Sequence, residues 1–123
     1  MKSSTVYIVF LLFLLLSSCK KDENGNGVIL SSLYGGTGYD CGNDIINTAD
    51  GGLAIMASVM SSDGDVSVNR GGYDFWLLKT DADGKKSWEK SYGGTLEDWG
   101  NAIIQSSDGG YAMAGYTKSN SVS

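Results

Sequence analysis

The chain has no proline and no histidine among its 123 residues. Without histidine there is no Ser-His-Asp or Cys-His catalytic pair, no imidazole metal ligand and no imidazole switch near neutral pH. Basic residues are few, nine Lys and Arg against fourteen Asp and Glu, which argues against a nucleic-acid-binding surface. There are only two cysteines, Cys19 and Cys41. The one long apolar run, Val6 to Leu16, has eleven residues, short of the ~20 that a membrane-spanning helix needs. What is plentiful is glycine, eighteen residues, about twice its usual share of roughly 7 %. Apolar residues at 41 % and aromatics at 11 % suffice for a packed core, and the length allows one small domain.

The N-terminus reads as an address. A basic start, Met1-Lys2, and the apolar run 6–16 fit the n- and h-regions of a secretory signal peptide. The run ends in Leu16-Ser17-Ser18-Cys19, which resembles the lipobox of bacterial lipoproteins. The resemblance implies cleavage after residue 18 and acylation (palmitate among the chains) of Cys19; the competing reading is an uncleaved anchor with a chance cysteine. Each buried methylene contributes about 0.8 kcal/mol, and stable anchoring takes at least two chains, which a multiply acylated cysteine supplies. Loss of Lys2 with the signal leaves eight basic and fourteen acidic side chains, a net charge of −6. Residues 19–27 are polar and glycine-containing, a flexible tether by composition. Lysine followed by acidic residues after the cysteine also resembles the export signal of surface lipoproteins in one large Gram-negative group. The expected location is therefore the outer membrane, surface-exposed, reached by the general secretory route.

The rest of the chain repeats. A shift of 58 residues places Tyr34-Gly35-Gly36-Thr37 on Tyr92-Gly93-Gly94-Thr95, Asp40 on Asp98, and Gly42-Asn43 on Gly100-Asn101. It also places Ile45-Ile46 on Ile103-Ile104, Asp50-Gly51-Gly52 on Asp108-Gly109-Gly110, Ala54 on Ala112 and Ser61 on Ser119. Those are fourteen identities in thirty ungapped positions, 34–63. Within the unit, short apolar-rich runs at 43–48, 53–60, 73–80 and 86–92 are separated by Asp-Gly turn signals. None is long enough, with a 3.6-residue period, to be a helix. Each repeat is expected to be four antiparallel strands. Adjacent apolar residues such as Ile45-Ile46 imply a sheet covered on both faces, with Trp76, Trp88, Tyr92 and Trp99 filling the gaps between sheets.

Two segments carry a resemblance. Tyr73 to Asp81 (YDFWLLKTD) with Gly84, Trp88, Lys90 and Gly93-Gly94 is the first; Gly100 to Gln105 with Asp108-Gly109-Gly110-Tyr111 and Ala114 to Thr117 is the second. They resemble the blade repeats of large secreted bacterial β-propeller proteins, over residues 28–123. The resemblance implies an all-β fold of four-stranded antiparallel blades and a surface or secreted location, with no reaction attached. It leads to a binding or scaffold module for protein or glycan, not an enzyme. The alternative is a piece of a propeller-fold enzyme acting on polysaccharide whose catalytic residues lie outside this chain.

Candidate chemistry is sparse, and no catalytic set or cofactor is expected. Asp63, Asp65, Ser67 and Asn69 place oxygen side chains at alternate positions, as calcium loops do. Val68 stands where such a loop has its turn glycine, so an ordinary polar loop is the competing reading. Asp81-Ala82-Asp83-Gly84 reads as a turn, and Asp50 and Asp108, recurring at the repeat period, as turn carboxylates. Cys41 aligns with Trp99 and is expected to be a small buried apolar group, with pairing to a cysteine of another chain as the competing reading.

The repeat region amounts to about one and a half blades, whereas propellers close with four to eight. Residues 28–34 align with 86–92 and are expected to be the closing outer strand of a longer ring. Alone, the region would leave the faces around Ile45, Ile55, Trp76 and Ile103 open to water, requiring missing blades or self-association.

Overall fold

The computed structural model describes residues 32–121. The expected signal segment, Cys19, the expected tether and residues 28–31 lie outside the described residues. Those described form six strands and no helix: β1 (Asp40–Asn47), β2 (Leu53–Val59), β3 (Asp74–Thr80), β4 (Lys86–Tyr92), β5 (Asp98–Gln105) and β6 (Tyr111–Thr117). Strands β1-β2-β3-β4 make one antiparallel sheet in sequence order, and β5-β6 make a second, two-stranded sheet. The expected strand positions are met within a few residues. Ser32 to Tyr34, expected at the end of a closing strand, form none. No described strand pairs with them.

The repeat is preserved in detail. The turn after β1 closes through Thr48 N–H to Gly52 O (3.0 Å) and Gly51 N–H to Thr48 O (2.9 Å). The turn after β5 repeats it with Ser106 to Gly110 (2.9 Å) and Gly109 to Ser106 (3.0 Å). Both require a left-handed residue at the same place, Gly51 (φ +83°) and Gly109 (φ +87°), which explains the first glycine of each recurrent pair. Asp50 and Asp108 then accept the amides of Gly52 (3.2 Å) and Gly110 (3.0 Å). Both β1 and β5 also bulge at one equivalent residue, Asn43 and Asn101.

The four-stranded sheet is covered on both faces, by different means. On one, Ala57, Val59, Trp76 and Leu78 pack with Val66 of the 60–73 loop and with Tyr34. On the other, Ala54, Met56 and Leu77 pack against Ile103 of β5, flanked by Ile46, Phe75, Tyr92 and Met113. Trp76 and Ile103, expected to be open to water, are therefore each only 2 % exposed. The loop and Tyr34 roof the first, and the sheet-on-sheet contact encloses the second. Ile45 does remain open. Gly100 lets the sheets approach, since a Cβ there would overlap Met56 Cε. Tyr111 meets Trp88 edge-on across the gap, ring centroids 5.8 Å apart.

Candidate functional site

Strand ends Asp40, Val59, Asp74, Tyr92, Asp98 and Thr117 lead into the segments 32–39, 60–73, 93–97 and 118–121, which meet one another. Two of these segments are Gly-Gly loops, each tied by an aspartate four residues on. Asp40 accepts the amide of Gly36 (2.8 Å), the Ser61 hydroxyl (2.6 Å) and the amides of Met60 and Ser61 (3.2 and 3.1 Å). Asp98 accepts the amide of Gly94 (2.6 Å), the Ser119 hydroxyl (2.9 Å) and the Thr117 hydroxyl. Burial opposes ionisation of both, yet these donors outweigh it and hold each carboxyl below the usual range.

Three of the four residues singled out for calcium, Asp63, Asp65 and Asn69, fasten the 60–73 loop. Asp63 accepts the Thr37 amide and hydroxyl, both at 2.8 Å, which lowers its pKa. Asp65 pairs with Lys86 Nζ (3.0 Å) and accepts from Gly35 N–H at 3.4 Å. Asn69 donates to the carbonyls of Val59 and Gly72 (both 2.9 Å) and accepts the Gly71 amide (3.0 Å). Ser67 is exposed. Asp63, Asp65 and Asn69 are used as fasteners in different directions. Among the described residues no group of three His, Cys, Asp or Glu side chains could hold a metal ion.

Asp74 differs from the other carboxylates. It is fully buried, and burial pushes its pKa up against the opposing bond from the Arg70 amide (3.0 Å) and the Arg70 charge. Asp98 adds a like charge, and Asp74 Oδ1 has no hydrogen-bond partner.

Two hollows flank the loops. An open one of about 350 Å³ is lined by Tyr34, Gly35, Gly36, Asp40 and Asp65. A mostly apolar one of about 450 Å³ lies between the sheets, lined by Phe75, Tyr92, Asp98, Met113 and Tyr116 among others. The arrangement is a loop end whose backbone amides and carboxylates bond largely to one another.

Cys41, expected to be buried, is exposed and free. It lies near the start of an edge strand, beyond Asn43 and Asp44, whose side chains bond to β5. Its counterpart Trp99 is packed edge-on against Tyr73, centroids 4.5 Å apart. The sheet-to-sheet links themselves carried a signal in the repeat, Gly42-Asn43 on Gly100-Asn101, with no role attached to it. Asn43 Nδ2 bonds to Ser58 Oγ (2.7 Å) and to the Gly100 carbonyl (2.5 Å). Asp44 accepts the Ile103 amide at 2.9 Å.

No protein-family model, curated protein or solved structure matches the chain.

Proposed function

We propose that this chain is an outer-membrane lipoprotein, surface-exposed and anchored through acylated Cys19, that carries a β-propeller-type binding or scaffold module for a protein or glycan. The observation that supports the module is the face-to-face stacking of two equivalent units, joined by Asn43 and Asp44, with their Gly-Gly loops tied alike by Asp40 and Asp98. Such stacking is how propeller blades succeed one another. The recognition surface is the loop end, where Asp63 and Asp65 brace a polar hollow. The acidic chain favours neutral or cationic groups over nucleic acid. Further blades, from a longer protein or from other copies, complete the ring.

The anchor is tested by expressing the full chain in a Gram-negative host fed an alkyne-labelled palmitate. The expected result is a labelled protein, cut before Cys19 and digested when intact cells meet protease. A Cys19→Ala variant should lose the label. Absence of label on wild type, with the precursor uncut, overturns the anchor. Recognition is tested by probing glycan and surface-protein arrays with the full chain and an Asp63→Ala variant. Retention weakened by the variant is expected; no retention by either overturns the binding role.

A further inference from the structure

The contact between the two sheets supplies a template for a contact the molecule has not yet made. In it, the β1-β2-β3 face bearing Ile46, Ala54, Met56 and Leu77 meets the β5 face bearing Gly100 and Ile103. The repeat makes each half of this contact recur elsewhere. Ile104, Ala112 and Ala114 of the second sheet stand where Ile46, Ala54 and Met56 stand in the first, and all three are exposed, Ile104 by 63 %. Gly42 and Ile45 of the first sheet stand where Gly100 and Ile103 stand in the second. Ile45 is 56 % exposed, and a Cβ at Gly42 would meet nothing within 4 Å. Ile103, doing the same duty inside the contact, is 2 % exposed.

We infer that the exposed β5-β6 face bearing Asn101, Ile104 and Ala112 docks head-to-tail on the Gly42–Ile45 face of a second copy of this chain. The inference rests on the blade-stacking reading above. Three features favour a copy of this chain as the occupant. The polar link can repeat: Asn101 corresponds to Asn43, and the Gly42 carbonyl of a second copy to the Gly100 carbonyl that Asn43 holds. The second link is not needed, since Asp44 already satisfies the Ile45 amide at 2.9 Å, and an alanine, Ala102, replaces it in the second unit. Volume is exchanged along the face, too. Met56 and Ser58 of the first unit become Ala114 and Tyr116, so bulk moves by one position on the same side of the strand. The side chains that would meet, at 42, 45, 101, 104 and 112, are uncharged, and Asp44 between them turns a carboxylate oxygen to the Ile103 amide of its own chain (2.9 Å), so the acidic chain is not set against itself there. A contact of two different faces is heterologous; repeated, it closes a ring or extends a filament according to the rotation per step.

The test uses the full chain in excess detergent, with mass measured by light scattering corrected for detergent. Wild type is expected to be oligomeric. Ile45→Asp and Ile104→Asp each place a carboxylate on one face only, at a position open to water in the single chain, and each alone should be monomeric. Mixed, they retain one intact face apiece and should form a 1:1 pair of twice the protomer mass. Gly42→Leu, with free space around it, should fold normally and be monomeric as well. Association insensitive to all three variants places it outside these two faces, in the N-terminal segment or its acyl chains, and overturns the proposal. Loss in Ile104→Asp but not Ile45→Asp, meaning a face that pairs with itself, overturns it too. So does a monomeric wild type whose melting falls with Ile104→Asp, because the chain then covers that face itself. If wild type is monomeric but Gly100→Leu still lowers its melting temperature, stacking within the chain stands and only the copy-to-copy contact fails. If Gly100→Leu has no effect, the stacking reading itself fails.

Discussion

Asp40 and Asp98 occupy the same place in successive repeats and do the same work, each drawing in the amide of a Gly-Gly loop four residues earlier, at 2.8 Å for Gly36 and 2.6 Å for Gly94. They differ in burial: Asp98 is 1 % exposed, and Asp40 is half-buried. Removing an acceptor from a buried site strands its donors, whereas water replaces it at an open one. Asp98→Ala should therefore cost about 2 kcal/mol and Asp40→Ala about 1 kcal/mol, within the range for lost buried hydrogen bonds. Urea denaturation of the two variants measures the difference; equal losses would deny that burial sets the effect.

Gly100→Ala should cost about 1–3 kcal/mol, as overpacked cores do, because the new methyl meets the buried Met56 side chain. The loss should be smaller in a Met56→Ala background. A double-mutant cycle with no coupling between the two positions would show that the sheets do not meet there.

Acid should unfold the protein. Hydrogen bonds lower the folded pKa of Asp40, Asp63, Asp98 and Asp108, from an ordinary value of 3.8, so they bind protons more weakly folded than unfolded. Asp50 is lowered as well, chiefly by Lys79 at 2.9 Å. Their stabilisation is present above pH 3.8 and is lost as pH falls below it through the folded values. Asp74 runs the other way: its raised pKa means that ionisation above 3.8 destabilises the folded state. Melting temperatures from pH 2 to 7 should rise with pH overall. Asp74→Asn should gain on wild type as pH increases, and a constant difference would show that Asp74 does not titrate abnormally.

Cys41 should react with a maleimide in the native protein as fast as in denaturant, since its thiol is exposed and free. Labelling only after unfolding would return it to the core.

Strand content and the turns were legible because they depend on neighbours in sequence. Asp-Gly pairs carry the positive φ at Gly51 and Gly109, and the recurrence at 58 residues carries the equivalence of Asp40 with Asp98. Equivalence does not say which face of one unit meets which face of the next. Cys41 and Trp99 hold equivalent positions, yet one is open and the other lies against Tyr73. Ile45 and Ile103 are likewise equivalent, one in water and one buried under Met56 and Leu77. By itself the sequence determined an all-β chain of repeated antiparallel strands with glycine turns, because local backbone geometry and hydrophobic pattern suffice for that. Only the tertiary structure decided which of two equivalent side chains is enclosed, because burial depends on what stacks against a face, and that contact joins residues some 58 positions apart.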